Sequence, residues 1–245
     1  MIHNLIDADR ILYCFGGLKD EEGSPQPWEI VRSRIDDNIN LLNLATRADS
    51  FELVLTSDDK SNFRFNVATI LPYKGNRLSD KPFWYQTIRS YLVDTYSAHV
   101  VYGMEADDYL GIQQSENTVI SSVDKDLDNI PGKHFNELKP NKGVYEISEV
   151  CGWRNYFCQC LLGDDTDNIM GLYGVGRASA LLKRIHTLSE SRDMYLDVKA
   201  QYLKRFGSHW KMFLWENASL LWIKRKAIPE GQEEILELLQ GFEAA

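Results

Sequence analysis

Short apolar runs and longer, helix-spaced ones alternate along the first 145 or so residues. "HNLID" (3–7), "FELVLT" (51–56), "HVVYG" (99–103) and "TVISSV" (118–123) have strand length and strand composition. Between them the apolar spacing lengthens. Val31, Ile35, Ile39 and Leu42 share one face of a helix over "PWEIVRSRIDDNINLLNLAT", for which Ser24 and Pro25 read as the start signal. "FWYQTIRSYLVDTYS" and "EADDYLGIQQ" read as further helices. Alternation of this kind predicts an α/β fold with a mostly parallel central sheet flanked by helices. From "ISEVCGWRNYFCQCLLG" onward the pattern is mostly helical. The expected organisation is an α/β core over residues 1–147 and a helical region over 148–245 packed on it.

Composition changes this picture in two respects. With 245 residues and 44% hydrophobic content the chain can bury a sizeable core, which excludes a disordered protein. The formal charge of -9 disfavours nucleic acid as a partner. That objection weakens if the acids are gathered as metal ligands, because two divalent ions return about +4. No run reaches the ~18 apolar residues of a membrane span, and the N-terminal stretch lacks a signal-peptide core, so no membrane partner is expected. Cys14, Cys151, Cys158 and Cys160 form no paired C-x-x-C sets and read as free buried thiols in a reducing cytoplasm.

The acids fall at particular places. Asp7 ends the first strand and Asp58 lies just past the second; Glu105, Asp107 and Asp108 follow the third, and Asp124 and Asp126 the fourth. The C-terminal ends of parallel strands lie on one edge of a sheet, where ligands bind. Carboxylates crowded there cannot all stay ionised without cations, and an all-oxygen donor set suits Mg²⁺ or Mn²⁺. Each motif alone has a plainer reading, as a helix's first turn or a strand-ending turn. Four strand ends all carrying acid point instead to a site. The five histidines are scattered without metal-ligand spacing. "PYKGNR" (72–77) offers Lys74 and Arg77 for phosphate and Tyr73 for stacking on a base, with a solvated turn at Gly75 as the alternative. "LLGDDTDNIMGLYGVG" sets Asp164, Asp165 and Asp167 against Gly171, Gly174 and Gly176, and matches neither a Walker nor a Rossmann pattern.

Taken in order, "LIDADR", "SDDKSNFR", "PYKGNR", "GMEADDYLG", "SSVDKDLDNIPG" and "LLGDDTDNIMGLYGVGRASALL" resemble the 5′-nuclease family. This family comprises phage and bacterial 5′–3′ exonucleases, the 5′-nuclease domain of bacterial DNA polymerase I, and flap endonucleases. The resemblance runs over about residues 3–185. It implies a PIN-like sheet followed by a helix–hairpin–helix (H3TH) region. It also implies metal ligands at Asp7, Asp58, Glu105, Asp107, Asp108, Asp124, Asp126, Asp164 and Asp167, with Asp165 a bystander. Asp59 is the substitute for Asp58, because this loop is one residue shorter than the family's. Lys74 and Arg77 take the catalytic cationic role. Tyr73, Gly174, Gly176, Arg177 and Lys183, with Arg184, join them in holding DNA, and a K⁺ ion sits in the glycine-rich loop.

Two departures stand out. Ala8 and Asp9 replace the usual glycine after the first aspartate; Asp9 is expected on the opposite face of a continuing strand, outside the site. Only 27 residues (78–104) separate Arg77 from Glu105, short for the arch through which phage flap endonucleases thread a 5′ end. Within it Trp84, Tyr85 and Arg89 could clamp a strand, with packing the expected role of Trp84. The implied activity is hydrolysis at DNA 5′ ends, nicks or flaps, with RNA–DNA primer hybrids as further substrates. A polymerase or single-strand-binding protein would act in trans. The rival readings are a non-catalytic DNA-junction binder of the same fold and a PIN-type ribonuclease.

Overall fold

The sheet grows outward from the N-terminal strand in both directions. Its strands are β1 (His3–Asp7), β2 (Ser50–Thr56), β3 (His99–Val101), β4 (Thr118–Ser121), β5 (Gly132–Phe135) and β6 (Tyr145–Ile147), in spatial order β3-β2-β1-β4-β5-β6. The β1–β2, β2–β3, β1–β4 and β4–β5 pairs are parallel. The chain runs from β1 to β3 on one side, then returns to lay β4 against the other side of β1. The strand order therefore reverses between β1 and β4, and the crevice at such a switch point is where open α/β sheets bind ligands. The computed structural model describes residues 1–77, 79–228 and 232–244. Leu78, the first residue of the expected arch segment, lies outside these.

Strand alternation puts Ile6, Leu53, Leu55, Val119 and Phe135 in one buried cluster. The helices α1 (Asp9–Gly16), α2 (Trp28–Thr46) and α4 (Tyr85–Tyr96) supply its other members, including Ile11, Ile35, Ile39, Ile88 and Leu92. Residues of the opposite parity, Leu5, Val54 and Ile120, are equally buried. Two starts differ from expectation. Helix α2 begins after Pro27, whose φ of -53° is preset for the turn, while Pro25 bridges back to Lys19. Helix α1 has no counterpart in the periodicity reading, and Asp9 opens it rather than extending β1.

The chain divides into two compact units. The first is Met1–Asp59, Ser79–Lys125 and Gly132–Glu146; the second is Lys60–Leu78, Asp126–Pro131 and Ile147–Ala245. "PYKGNR" thus belongs with the helical half. The short helix α3 (Arg64–Val67) precedes it, and the long helices are α6 (Glu149–Leu162), α8 (Ser191–Phe206), α9 (Trp210–Leu221) and α10 (Glu233–Ala244). Their shared core holds Tyr156, Tyr195, Tyr202 and Trp222. Buried Arg64 ties α3 to this core by donating to the carbonyls of Leu220 (2.9 Å) and Trp222 (2.6 Å). Glu216 on α9 accepts the amides of Thr69 (2.9 Å) and Ile70 (2.8 Å). These charge-assisted bonds fix the segment that carries Tyr73, Lys74 and Arg77.

After α6 the chain makes a small antiparallel hairpin, β7 (Gly163–Asp164) and β8 (Ile169–Met170). Its backbones meet so closely that a Cβ on Gly171 would lie 2.2 Å from the carbonyl carbon of Leu162. Gly176 has open space around the same position. Gly171→Ala is expected to destabilise the second unit by about 3 kcal/mol, the upper end of overpacking costs. Gly176→Ala should stay within about 0.5 kcal/mol. Chemical denaturation followed by tryptophan fluorescence checks both; equal stability of the two variants would contradict the packing described.

Candidate active site

In the first unit, Asp7 ends β1 at the switch point. Ser122, just past β4, donates its hydroxyl to Asp7 Oδ2 (2.8 Å) and accepts the Asp124 amide (3.0 Å), tying together the two strand ends that flank the crevice. Asp9 lies beside Asp7, its amide donating to Asp7 Oδ1 (3.2 Å) and its carboxylate accepting the Thr56 amide (3.0 Å). The Thr56 hydroxyl in turn accepts the Ala106 amide (2.9 Å), which anchors the start of α5 (Ala106–Gln113) to the end of β2. Glu105 and Asp108 form a reciprocal capping box at that helix start. The plainer reading of these two acids is therefore realised in part. Asp107, between them, takes no part in the box.

The electrostatics single out Asp7 and Asp107. Burial, then the nearby Asp9 charge, pushes Asp7 up to about 7, against the opposing hydrogen bond from Ser122. Burial, then the charges of Asp7, Asp124, Glu105 and Asp108, holds Asp107 well above the usual carboxylate range. Asp7, Asp9, Glu105, Asp107, Asp108 and Asp124 thus form one interacting acidic group, and the exclusion of Asp9 rested on a strand that ends two residues earlier. Asp9, Thr56 and Ser122 are the members that motif reading passed over. The only sequence signal for Asp9 was a second acid, two residues after Asp7, in "LIDADR".

Asp58 is in a different situation. It accepts hydrogen bonds from Lys81 Nζ (2.7 Å), the Tyr85 hydroxyl (2.9 Å) and Gln86 (3.1 Å), and Arg89 lies 3.8 Å away. Partial burial opposes its ionisation, but these donors outweigh it and hold its pKa below the ordinary value. Asp59 accepts a bond from the Ser57 hydroxyl. Tyr85 and Arg89, considered for clamping a strand, are spent on Asp58. Trp84 packs against Trp28 and Phe83 and donates to the Gln26 carbonyl (2.9 Å).

In the second unit, "PYKGNR" docks onto "GDDTDN". Lys74, in the left-handed region at φ 55°, donates its amide to the Asp167 carbonyl (2.9 Å), and Asn168 donates its side chain to the Pro72 carbonyl (2.9 Å). Asn76 donates to the Asp165 carbonyl. The Asp167 carboxylate accepts from the Tyr73 hydroxyl (2.8 Å) and from Arg77, with Lys74 Nζ at 3.8 Å. The Tyr73 ring is 5% exposed and set edge-on to Phe65, so it is not presented for stacking on a base, contrary to expectation. The Asp164 carboxylate accepts the Thr166 amide (2.8 Å). Asp126 lies in the 3₁₀ turn Lys125–Asn129, and Asp165 is exposed.

Gly174, at φ 82°, and Gly176 lie on an exposed loop with nothing near their Cβ positions. Arg177 and Lys183 are exposed beyond it, Lys183 in α7 (Ala180–Ile185), whereas Arg184 is paired with Asp197 at 2.7 Å. Cys158 and Cys160 are buried, with burial pushing their thiols up to about 11 and 12; Cys14 and Cys151 are exposed, not buried as expected. Among the described residues, no helix is long and apolar enough to cross a membrane.

No protein-family model and no curated protein matches the chain. Solved structures do. The phage T5 D15 protein, co-crystallised with metal ions, aligns with 99% of this chain and 99% of its own at a TM-score of 0.66 and 14% identity. The bacteriophage T5 D15 flap endonuclease, as a pseudo-enzyme–product complex with DNA and metal ions, aligns with 100% and 98% at 0.64 and 17%. A T5 5′-exonuclease mutant aligns with 98% and 98% at 0.61 and 14%. The chain has the T5 5′-nuclease fold.

Among the described residues, no three His, Cys, Asp or Glu side chains already close on one point. The donor set nonetheless fits a hard cation. Mg²⁺ keeps several waters and takes only one or two carboxylates directly, so it needs no finished cage. A cation would also relieve the repulsion that raises Asp7 and Asp107. Without one, the raised pKa has a definite consequence. Folded Asp7 binds its proton more tightly than the unfolded chain does, so stability is fully present below about pH 4 and is lost as pH rises to about 7. Asp107 adds in the same direction. Chelator-treated protein should therefore melt at lower temperature at about pH 8 than at about pH 5, and Asp7→Asn should flatten the slope. An identical slope in the variant would show that Asp7 does not carry it.

Proposed function

We propose that this protein is a divalent-metal-dependent 5′-nuclease, a 5′–3′ exonuclease and structure-specific flap endonuclease of the family it resembles. Its substrates would be DNA 5′ ends, nicks and flaps, with RNA–DNA primer hybrids included, in replication or repair. The observation that carries this reading is the group of mutually repelling carboxylates, Asp7 and Asp107 foremost, at the switch point of the sheet. The T5 fold supports it.

Asp7, Glu105, Asp107, Asp108 and Asp124 are the proposed ligands for Mg²⁺ or Mn²⁺. Bound divalent ions would supply Lewis acidity toward a phosphodiester and lower the pKa of an attacking water. The chain's own part is to hold the donors: Ser122 orients Asp7, and the capping box fixes Glu105 and Asp108 on either side of Asp107. Asp126, Asp164 and Asp167 enter the ligand set through the resemblance alone. Asp58 does so too, against competition from Lys81 and Arg89 for its oxygens. Lys74 and Arg77 would offset charge on the phosphate, exchanging part of their pairing with Asp167. The Gly174–Gly176 loop, with Arg177 and Lys183, would hold duplex phosphates independently of sequence, K⁺ assisting.

Asp107→Asn should reduce Mg²⁺-dependent cleavage of a 5′-flap substrate at least about a hundredfold. Asp165→Asn, which alters an exposed aspartate outside the acidic group, should cleave normally. Product lengths on gels provide the measurement. Undiminished cleavage by Asp107→Asn would sink the proposed metal site.

A further inference from the structure

Within the second unit, a cleft of about 620 Å³ opens between Lys60, α3 and the "PYKGNR" turn. In a chain of net charge -9, its lining carries three cations, Lys60, Lys74 and Arg77, and, among the described residues, no carboxylate. Lys74 and Arg77 both pair with Asp167. Along one wall stands Phe65, with 37% of its surface exposed and Tyr73 behind it at 5.6 Å, edge-on. Pro72 completes an apolar side. The occupant that fits is an anion joined to a flat apolar group, of a size suited to a small-molecule pocket.

The geometry points to a subsite for the 5′-terminal nucleotide, its phosphomonoester on Lys60, Lys74 and Arg77 and its base on the Phe65 ring. A terminal phosphate carries about -1.5 to -2 at neutral pH, against -1 for an internal diester, and so is drawn more strongly by three cationic side chains. Any base presents a π-face to an aromatic ring, so the subsite is indifferent to sequence. The choice of a nucleic-acid end as occupant rests on the nuclease reading above. Its consequence is a preference for 5′-phosphorylated ends, set by Lys60 and Phe65, which have no part in the proposed metal site.

The test begins with calorimetry in the presence of chelator, titrating the full-length protein with deoxythymidine 5′-monophosphate, thymidine or inorganic phosphate. The monophosphate should bind at one site and more tightly than phosphate, and thymidine should not bind measurably. Lys60→Ala and Phe65→Ala should each weaken it at least about fivefold, the low end of what one aromatic stacking contact contributes. Absence of saturable binding, or binding unchanged in both variants, overturns the subsite. Cleavage of matched substrates with 5′-phosphate and 5′-hydroxyl ends separates the two levels of inference. Wild-type protein that cuts both equally well overturns the subsite and leaves the nuclease reading standing. Protein that binds the monophosphate through Lys60 and Phe65 but cuts neither substrate overturns the nuclease reading and retains the subsite.

Discussion

Mutual repulsion among carboxylates at the β1–β4 crevice is the constraint to which the first unit is built. Asp7, Asp107 and Asp124 approach one another because the parallel strands and the start of α5 deliver them to a single edge. Nothing in β1 could relieve the repulsion by sliding, since a one-residue shift would exchange buried Ile6 for Asp7 on the core face. The hydrophobic core therefore enforces an electrostatically unfavourable rim. Such an arrangement persists only where the rest of the structure over-determines it, and local cost of this kind concentrates at functional sites.

Hydrogen bonds hold the rim in shape without neutralising it. Ser122 joins β1 to the turn after β4; Thr56 joins β2 to the start of α5; Asp9 joins the start of α1 to the end of β2. Each link crosses between strand ends or from strand end to helix start. Asp7 and Asp107 are consequently set by regular elements, and the connection carrying Asp124 is held by Ser122, the condition under which a site keeps its geometry.

Much of this was legible in the sequence because it is local. Strands β1, β2 and β4 announced themselves as apolar runs, and the acids follow them within a few residues. The helical character after residue 147 was equally plain. What escaped was short or long-range. Helix α1 has only eight residues, too few for its periodicity to separate it from a strand extension, and that misplaced Asp9. Arg77 and Asp167 are 90 residues apart, so no local pattern could reveal that the "PYKGNR" turn spends its cations on "GDDTDN". The same docking buries Tyr73, whose composition context had suggested a surface role. Thr56 lies outside the motif stretches and Ser122 inside one that gives its hydroxyl no role; only the fold shows what the two hydroxyls bridge.

The acids that the resemblance groups as one set are physically of two kinds. Asp58 has Lys81 and Arg89 beside it, and Asp167 has Lys74 and Arg77, so the protein itself supplies their counter-charge. Asp7 and Asp107 have carboxylates as their principal charged neighbours. A cation arriving at the first kind must compete with an ammonium or guanidinium already in place, and gains only the difference. One arriving at the second kind would gain the full relief of like-charge repulsion, which favours a cation there over one beside Asp58 or Asp167. The paired acids hold something different in reserve. Each keeps basic side chains in position that a phosphate could take over, since an anion entering beside Asp167 finds Lys74 and Arg77 already oriented by Tyr73, Asn168 and the left-handed turn at Lys74. On the proposed function, metal and phosphate affinity would follow from one rule: an acid without a protein cation would recruit an ion, and an acid with one would present that cation to the substrate.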